Sequence, residues 1–134
     1  MAADADYCQT LRVHWEDTDA GGVVYHANYL RFFDRARTEW LRSLGCAPQA
    51  LRESGAAVFV VAGCRVRFRA PARLDDLLDV TVRRLAVGGA TIDLGQQVLR
   101  GGVLLVEGEL RLGCVDATHL RPTRIPSPLL RALR

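Results

Sequence analysis

Residues 28–44, NYLRFFDRARTEWLRSL, carry a helical repeat with an unusually broad apolar stripe. Apolar side chains recur at intervals of three and four residues, at Tyr29, Phe33, Ala36, Trp40 and Leu44. This spacing is typical of an amphipathic helix that buries one face. The helix is expected to end at Gly45, with Pro48 shortly after it, because glycine and then proline commonly follow a helix C-terminus.

Downstream of this helix the pattern changes to strands. A short helix is predicted from Pro48 to Ser54, ending at Gly55. Alternating apolar residues then predict four strands, at residues 58–70, 77–87, 90–100 and 103–116. Two glycine pairs, Gly88-Gly89 and Gly101-Gly102, are predicted to form tight hairpin turns. The tail RPTRIPSPLL (121–130) contains three prolines and is predicted to be irregular.

Upstream of the helix, residues 9–17 (QTLRVHWED) place Leu11, Val13 and Trp15 on one side of a predicted first strand. TDAGGVVYHA (18–27) is predicted to be a structured loop.

The order of elements is therefore strand, long helix and four-stranded meander, and the helix must bury its apolar face on the sheet. We predict a single α+β domain over residues 1–134 with the hotdog fold, a long central helix wrapped by a curved five-stranded antiparallel sheet. Because the sheet's edge needs cover, a homodimer that continues the sheet is expected.

Composition narrows the possible functions. The chain has 134 residues and a net charge of +3, and all 18 basic residues are arginine. This mild positive excess suits an anionic ligand such as a nucleotide phosphate but is too weak to indicate nucleic-acid binding. The 4 cysteines lack the spacing of a zinc site, so neither a metal nor a cofactor is expected. No apolar run is long enough to cross a bilayer, and the polar N-terminus predicts a cytoplasmic protein.

Residues 12–45, RVHWEDTDAGGVVYHANYLRFFDRARTEWLRSLG, resemble the signature of the 4-hydroxybenzoyl-CoA thioesterase family. They are most similar to its Tol–Pal-associated acyl-CoA thioesterase branch. The similarity continues through FVV (59–61), APARLDDLL (70–78) and CVD (114–116). The resemblance implies hydrolysis of acyl-CoA to a carboxylic acid and CoA by a homodimer or homotetramer. Acyl carrier protein is an alternative carrier of the acyl group.

Three carboxylates, Glu16, Asp17 and Asp19, precede or enter the glycine-containing loop. A thioester has a good leaving group, with a thiol pKa of about 8.5. Its hydrolysis therefore needs mainly a nucleophile or base on one side of the carbonyl and oxyanion donors on the other. Strand alternation does not choose among the three, and Asp19 could also serve only as an Asx-turn residue. The resemblance implies that Asp19 is the catalytic carboxylate, either as nucleophile or as general base.

The start of the long helix supplies the other candidate groups. The resemblance implies that the backbone N–H of His26 is the oxyanion donor. The His26 side chain could also steer Asp19 or a water, or make only a local hydrogen bond. Tyr25 is a candidate for the wall of the thioester pocket, and Asn28 is expected to cap the helix and to lie near the substrate.

Glu39 is a secondary candidate, because His26 with a helix acid imitates the layout of a hotdog dehydratase. The structural alternative for Glu39 is an ion pair with Arg35 or Arg42. A dehydratase or hydratase, and a non-catalytic module that binds acyl groups or acyl carrier protein, are therefore the competing hypotheses.

Three arginines, Arg65, Arg67 and Arg69, share one face of a predicted strand. They could bind the phosphates of CoA, because the guanidinium group binds phosphate in a bidentate manner. They could instead form a solvated face or a dimer contact with Asp75 and Asp76. Relatives in the resembled family hold the nucleotide with basic residues near the hairpin after the third strand, but residues 86–89 are uncharged here.

Overall fold

Residues 4–53 and 57–134 are described by a computed structural model. In this part of the chain five strands form one antiparallel sheet, in the order β1-β3-β4-β5-β2. The strands are β1 (Tyr7–Arg12), β2 (Val58–Phe68), β3 (Leu77–Val87), β4 (Thr91–Arg100) and β5 (Val103–Val115). The helices are α1 (Asn28–Ser43), α2 (Pro48–Glu53) and α3 (Ser127–Leu133). No helix in this part of the chain is long and apolar enough to cross a membrane.

Helix α1 packs on one face of the sheet, as the apolar stripe predicts. Tyr29, Phe33, Ala36 and Trp40 are all buried. Gly108 of β5 lets the helix approach closely, because a Cβ on Gly108 would lie 2.8 Å from Phe33 Cε2. A sheet wrapped around one central helix is the hotdog fold, so the predicted architecture is confirmed.

The two predicted hairpins are present. Gly101 and Gly102 both have positive φ, 55° and 82°, which suits a tight mirror-image turn between Arg100 and Val103. At the other hairpin the Gly88 N–H donates to the Thr91 carbonyl at 2.8 Å. The meander β3–β4–β5 therefore follows the sequence prediction closely.

The predicted first strand, residues 9–17, is wrong at its C-terminal half. Strand β1 ends at Arg12, and Trp15–Asp17 form a turn of 3-10 helix. Val13 is buried but the Trp15 side chain is 82% exposed, so they do not share a face. The cause is Asp17, whose Oδ2 accepts the His14 N–H at 2.8 Å and turns the backbone out of the sheet.

The predicted irregular tail is also wrong in part, because Ser127–Leu133 form α3. Proline is tolerated in the first turn of a helix, where its missing N–H has no partner to lose. Leu129 and Leu133 are buried against the core. The short helix predicted from Pro48 is present as far as Glu53, whereas Ser54 and Gly55 lie outside the described residues.

Arg84 of β3 joins the first and last segments that the structure describes. Its Nη2 lies 3.0 Å from Asp6 Oδ1, and its Nη1 donates to the Leu133 carbonyl at 2.6 Å. This link lies at the end of β3 away from Leu77, which pairs with Arg12 beside the loop that leads into α1.

Candidate active site

The loop between β1 and α1 is organised by Asp17. Its carbonyl accepts the Tyr25 N–H at 2.9 Å and the Asn28 Nδ2 amide at 2.9 Å, while its carboxylate accepts the His14 N–H. The Thr18 and Val24 backbones also bridge, so residues 17–25 form a short hairpin. Asp17 is therefore a structural carboxylate whose hydrogen bonds hold the loop in place.

Asp19 lies at the tip of this hairpin. Its Oδ1 accepts the Gly21 N–H at 2.8 Å, which is the Asx-turn that the structural alternative predicts. Its carbonyl accepts the Gly22 N–H at 3.1 Å, and Gly22 has a φ of +78° that favours glycine. The residue is exposed, and Oδ2 makes no hydrogen bond to any described residue. The turn thus fixes the orientation of the carboxylate and leaves one oxygen open.

The start of α1 presents unpaired backbone donors. Within the described residues the N–H groups of His26 and Ala27 donate no hydrogen bond, whereas the Asn28 N–H donates to the Tyr25 carbonyl at 2.8 Å. Unpaired N–H groups and the positive end of the helix dipole favour a developing negative charge. The backbone at His26 has the chemistry that the oxyanion role requires.

The predicted helix cap at Asn28 is wrong. The N-cap position is Ala27, without a side-chain cap, and Asn28 is the first residue of α1. The Asn28 amide instead donates to the Asp17 carbonyl and is partly buried. Because this bond joins the helix start to the hairpin, Asn28 holds the two halves of the candidate site together.

Two aromatic rings lie beside His26. The Tyr25 ring centroid lies 4.6 Å from the His26 centroid, and the Phe68 ring meets His26 edge-on at 6.3 Å. Phe68 also contacts Tyr29 at 5.8 Å. Phe68 lies within the strand predicted at residues 58–70 and was not among the predicted site residues. Its place beside His26 depends on the packing of β2 against α1, for which the sequence carries no local signal.

A second wall comes from the segment before β3. The Ala72 N–H donates to the Tyr29 hydroxyl at 3.0 Å, and the Val24 N–H donates to the Ala72 carbonyl at 2.9 Å. Burial raises the pKa of Tyr29, so its hydroxyl stays protonated near neutrality. This explains why APARLDDLL (70–78) accompanies the loop motif, since the two segments are in contact.

Glu39 lies away from this loop. It pairs with Arg42 at 3.3 Å, one of the two predicted alternatives. Since α1 rises 1.5 Å per residue, Glu39 lies about 16 Å along the helix from Asn28. The structure therefore does not bring Glu39 to His26 as a dehydratase layout requires.

The arginine row lies on the face of β2 opposite to Phe68. Arg69 is taken up by an ion pair with Glu107 at 2.7 Å. Arg65 and Arg67 form no ion pair with the described residues and line a cavity of about 590 Å³ together with Arg83, Glu107 and Glu109. Asp76 pairs with Arg100 rather than with this row.

Among the described residues no group of three His, Cys, Asp or Glu side chains could hold a metal ion.

The fold is that of a hotdog protein, and the loop that carries Asp17 and Asp19 leads into the start of its central helix. Residues 13–133 match the thioesterase-like superfamily. Acyl-CoA thioesterase YbgC of Haemophilus influenzae is 42% identical over 129 residues, which cover 96% of this chain and 95% of that protein. YbgC of Helicobacter pylori is 32% identical over 86% of this chain and 90% of its own length.

Solved structures agree with this assignment. A probable thioesterase from Bartonella henselae has a TM-score of 0.85 and 35% identity, covering 90% of this chain and 98% of that one. A hypothetical protein from Thermus thermophilus has a TM-score of 0.89 and 31% identity, covering 96% of this chain and 97% of its own. The chain belongs to the thioesterase-like superfamily, and it is a thioester hydrolase.

Proposed function

We propose that the protein hydrolyses acyl-CoA to a free carboxylic acid and CoA, with Asp19 as its catalytic carboxylate. The observation that carries the proposal is the short hairpin that presents both required groups. The open Oδ2 of Asp19 lies at the tip of the hairpin formed by residues 17–25, and the N–H of His26, unpaired among the described residues, directly follows the base of that hairpin. Asp17 pairs with Tyr25 at the base of the hairpin. Asp19 lies two residues further along the same strand, about 7 Å from that pair.

Two chemical routes use the same groups. In one, Asp19 attacks the thioester carbonyl, CoA leaves as the thiolate, and water hydrolyses the resulting anhydride. In the other, Asp19 removes a proton from the attacking water. In both, the N–H of His26 stabilises the oxyanion, and the low pKa of the thiol makes a separate general acid unnecessary. Tyr25 and Asn28 are proposed to lie beside the bound thioester.

The proposed site needs a cover, because Asp19 and His26 are both exposed in the single chain. Strand β2 is an edge of the sheet and carries the exposed apolar side chains Val60 and Val61. A long apolar edge strand favours pairing with another strand. We propose that a second copy pairs along β2, giving a homodimer or, by further association, a homotetramer.

The nucleotide is proposed to meet Arg65 and Arg67, whose guanidinium groups are free of ion pairs in the described chain. Arg69 is a weaker candidate, since it would have to leave Glu107. Acyl carrier protein remains an alternative carrier of the acyl group in this proposal.

The finer assignments are also proposals. Membership of the 4-hydroxybenzoyl-CoA thioesterase family and its Tol–Pal-associated branch is supported by the motif DTDAGGVVYHANY (17–29). The cytoplasmic location stays a prediction from the sequence.

The first experiment compares wild type with Asp19→Asn by thiol release from acetyl-, butyryl-, octanoyl- and benzoyl-CoA. The substitution removes the charge and keeps the shape, so activity is expected to fall by about a hundredfold or more. Glu16→Gln is the matched control, because Glu16 is an exposed carboxylate in the adjacent turn. It is expected to retain wild-type activity.

Other outcomes would favour the competing hypotheses. Full activity in Asp19→Asn together with losses in His26→Ala and Glu39→Gln would indicate a dehydratase-like site. Binding of acyl-CoA without thiol release by wild type would indicate an acyl-binding module.

A further inference from the structure

Phe68 is a large apolar side chain that the single chain leaves half uncovered. It is 51% exposed although it contacts the rings of both His26 and Tyr29. It is the last residue of β2, an edge strand, and β5 is the one strand that pairs beside it within residues 4–53 and 57–134. One part of the Phe68 ring packs against His26 and Tyr29, and the other part is exposed to solvent.

The open part of the ring lies on the helix-facing side of the sheet. Val66 pairs with Gly108, whose missing Cβ would point at Phe33 of α1. Phe68 follows Val66 by two residues and therefore shares its face. The contact between Phe68 and His26 makes this surface continuous with the backbone donors at the start of α1.

We propose that Phe68 is a specificity-determining residue that contacts the apolar carbons of the acyl group next to the thioester carbonyl. The inference rests on the proposed function, since it places the carbonyl at the N–H of His26. An acyl group held there extends past the His26 ring, and Phe68 is the exposed apolar side chain in contact with that ring on the β2 side. Each methylene group added to the acyl chain then adds apolar contact with the Phe68 ring, as long as the chain still lies against that ring.

The test is the dependence of kcat/KM on acyl length for acetyl-, propionyl- and butyryl-CoA. Burial of one methylene group corresponds to about a fourfold change in an equilibrium or rate ratio. Wild type is therefore expected to gain about fourfold in kcat/KM per methylene over this series. Phe68→Ala is expected to abolish this gain, so that kcat/KM becomes nearly equal for the three esters. Phe68→Leu keeps an apolar contact and is expected to retain most of the gain.

Leu85→Ala is the matched control. Leu85 is 43% exposed, similar to Phe68, but it lies on the outer face of the sheet against Gly95. This variant is expected to keep the wild-type dependence on acyl length.

Three outcomes would overturn the proposal. An unchanged gain per methylene in Phe68→Ala would show that the ring does not contact the acyl group. An equal loss on all three esters would assign Phe68 to the positioning of His26. A change of mass in size-exclusion chromatography would assign it to the interface between copies. In each case the proposed function still holds if the wild-type protein is active and loses its activity in Asp19→Asn. If the wild-type protein is inactive on every ester, both the proposed function and the role of Phe68 are contradicted.

Discussion

At the scale of single residues, the two aspartates of the loop have different partners although the sequence pattern does not separate them. Asp17 uses its carboxylate and its carbonyl to hold His14, Tyr25 and Asn28. Asp19 uses one carboxylate oxygen on the Gly21 N–H and leaves the other open. The sequence assigned Asp19 and His26 to one predicted site only through the resemblance of residues 12–45 to a thioesterase family. It could not place Phe68 there, since that contact joins segments far apart in the chain.

Gly108 gives a prediction at this scale. Gly108→Ala would place a Cβ 2.8 Å from Phe33 Cε2 in the core. Overpacking of this kind is expected to lower the free energy of unfolding by about 1–3 kcal/mol, measured by urea denaturation. Gly63→Ala is the control, because a Cβ there meets nothing within 4 Å. If both variants have the wild-type midpoint, α1 does not approach the sheet as closely as the structure indicates.

At the scale of elements, strong periodic patterns predicted α1 and β3 to β5 well, because each pattern reflects one face buried along the whole element. Prediction failed where a local hydrogen bond or a tertiary contact overrides the pattern. The alternation of residues 9–17 continues past Arg12, but the bond from His14 to Asp17 ends the strand. The three prolines of the tail suggested irregular backbone, whereas the burial of Leu129 and Leu133 stabilises α3.

The helix α3 can be tested through Leu129. This side chain is fully buried, so Leu129→Ala is expected to cost about 2–5 kcal/mol of stability from lost burial and a cavity. The exposed neighbour Arg131 provides the control Arg131→Ala, for which a change within about 0.5 kcal/mol is expected. Equal thermal midpoints for Leu129→Ala and wild type would mean that α3 is not docked on the core.

At the scale of the whole molecule, ion pairs connect segments that are distant in the chain. Asp76 before β3 accepts hydrogen bonds from Arg100 of β4 at 2.7 Å and from the Arg73 N–H at 2.8 Å. Burial alone would raise the pKa of Asp76, but the hydrogen bonds and charges of Arg100 and Arg73 outweigh it and hold the pKa below its usual value. The carboxylate therefore joins the loop segment beside the candidate site to the sheet.

The depressed pKa sets the sign of a pH effect. The stabilisation is present above the unfolded pKa of about 3.9 and is lost as pH falls through the lower folded value. Asp76→Asn is expected to be about 1 kcal/mol less stable than wild type at pH 7, with the difference shrinking as pH falls below about 4. Chemical denaturation at pH 7 and pH 3 measures this. Glu109→Gln is the control, and a difference for Asp76→Asn that is the same at both pH values would contradict the assignment.

The link made by Arg84 has a practical consequence for engineering. Its guanidinium holds Asp6 and the Leu133 carbonyl together, so the first and last described elements of the fold meet at one place. That place is about 23 Å along β3 from Leu77, beside which the loop into α1 begins. Fluorescent labels or surface-immobilisation tags placed beside Asp6 or Leu133 would therefore attach at the far end of the sheet and leave the loop accessible.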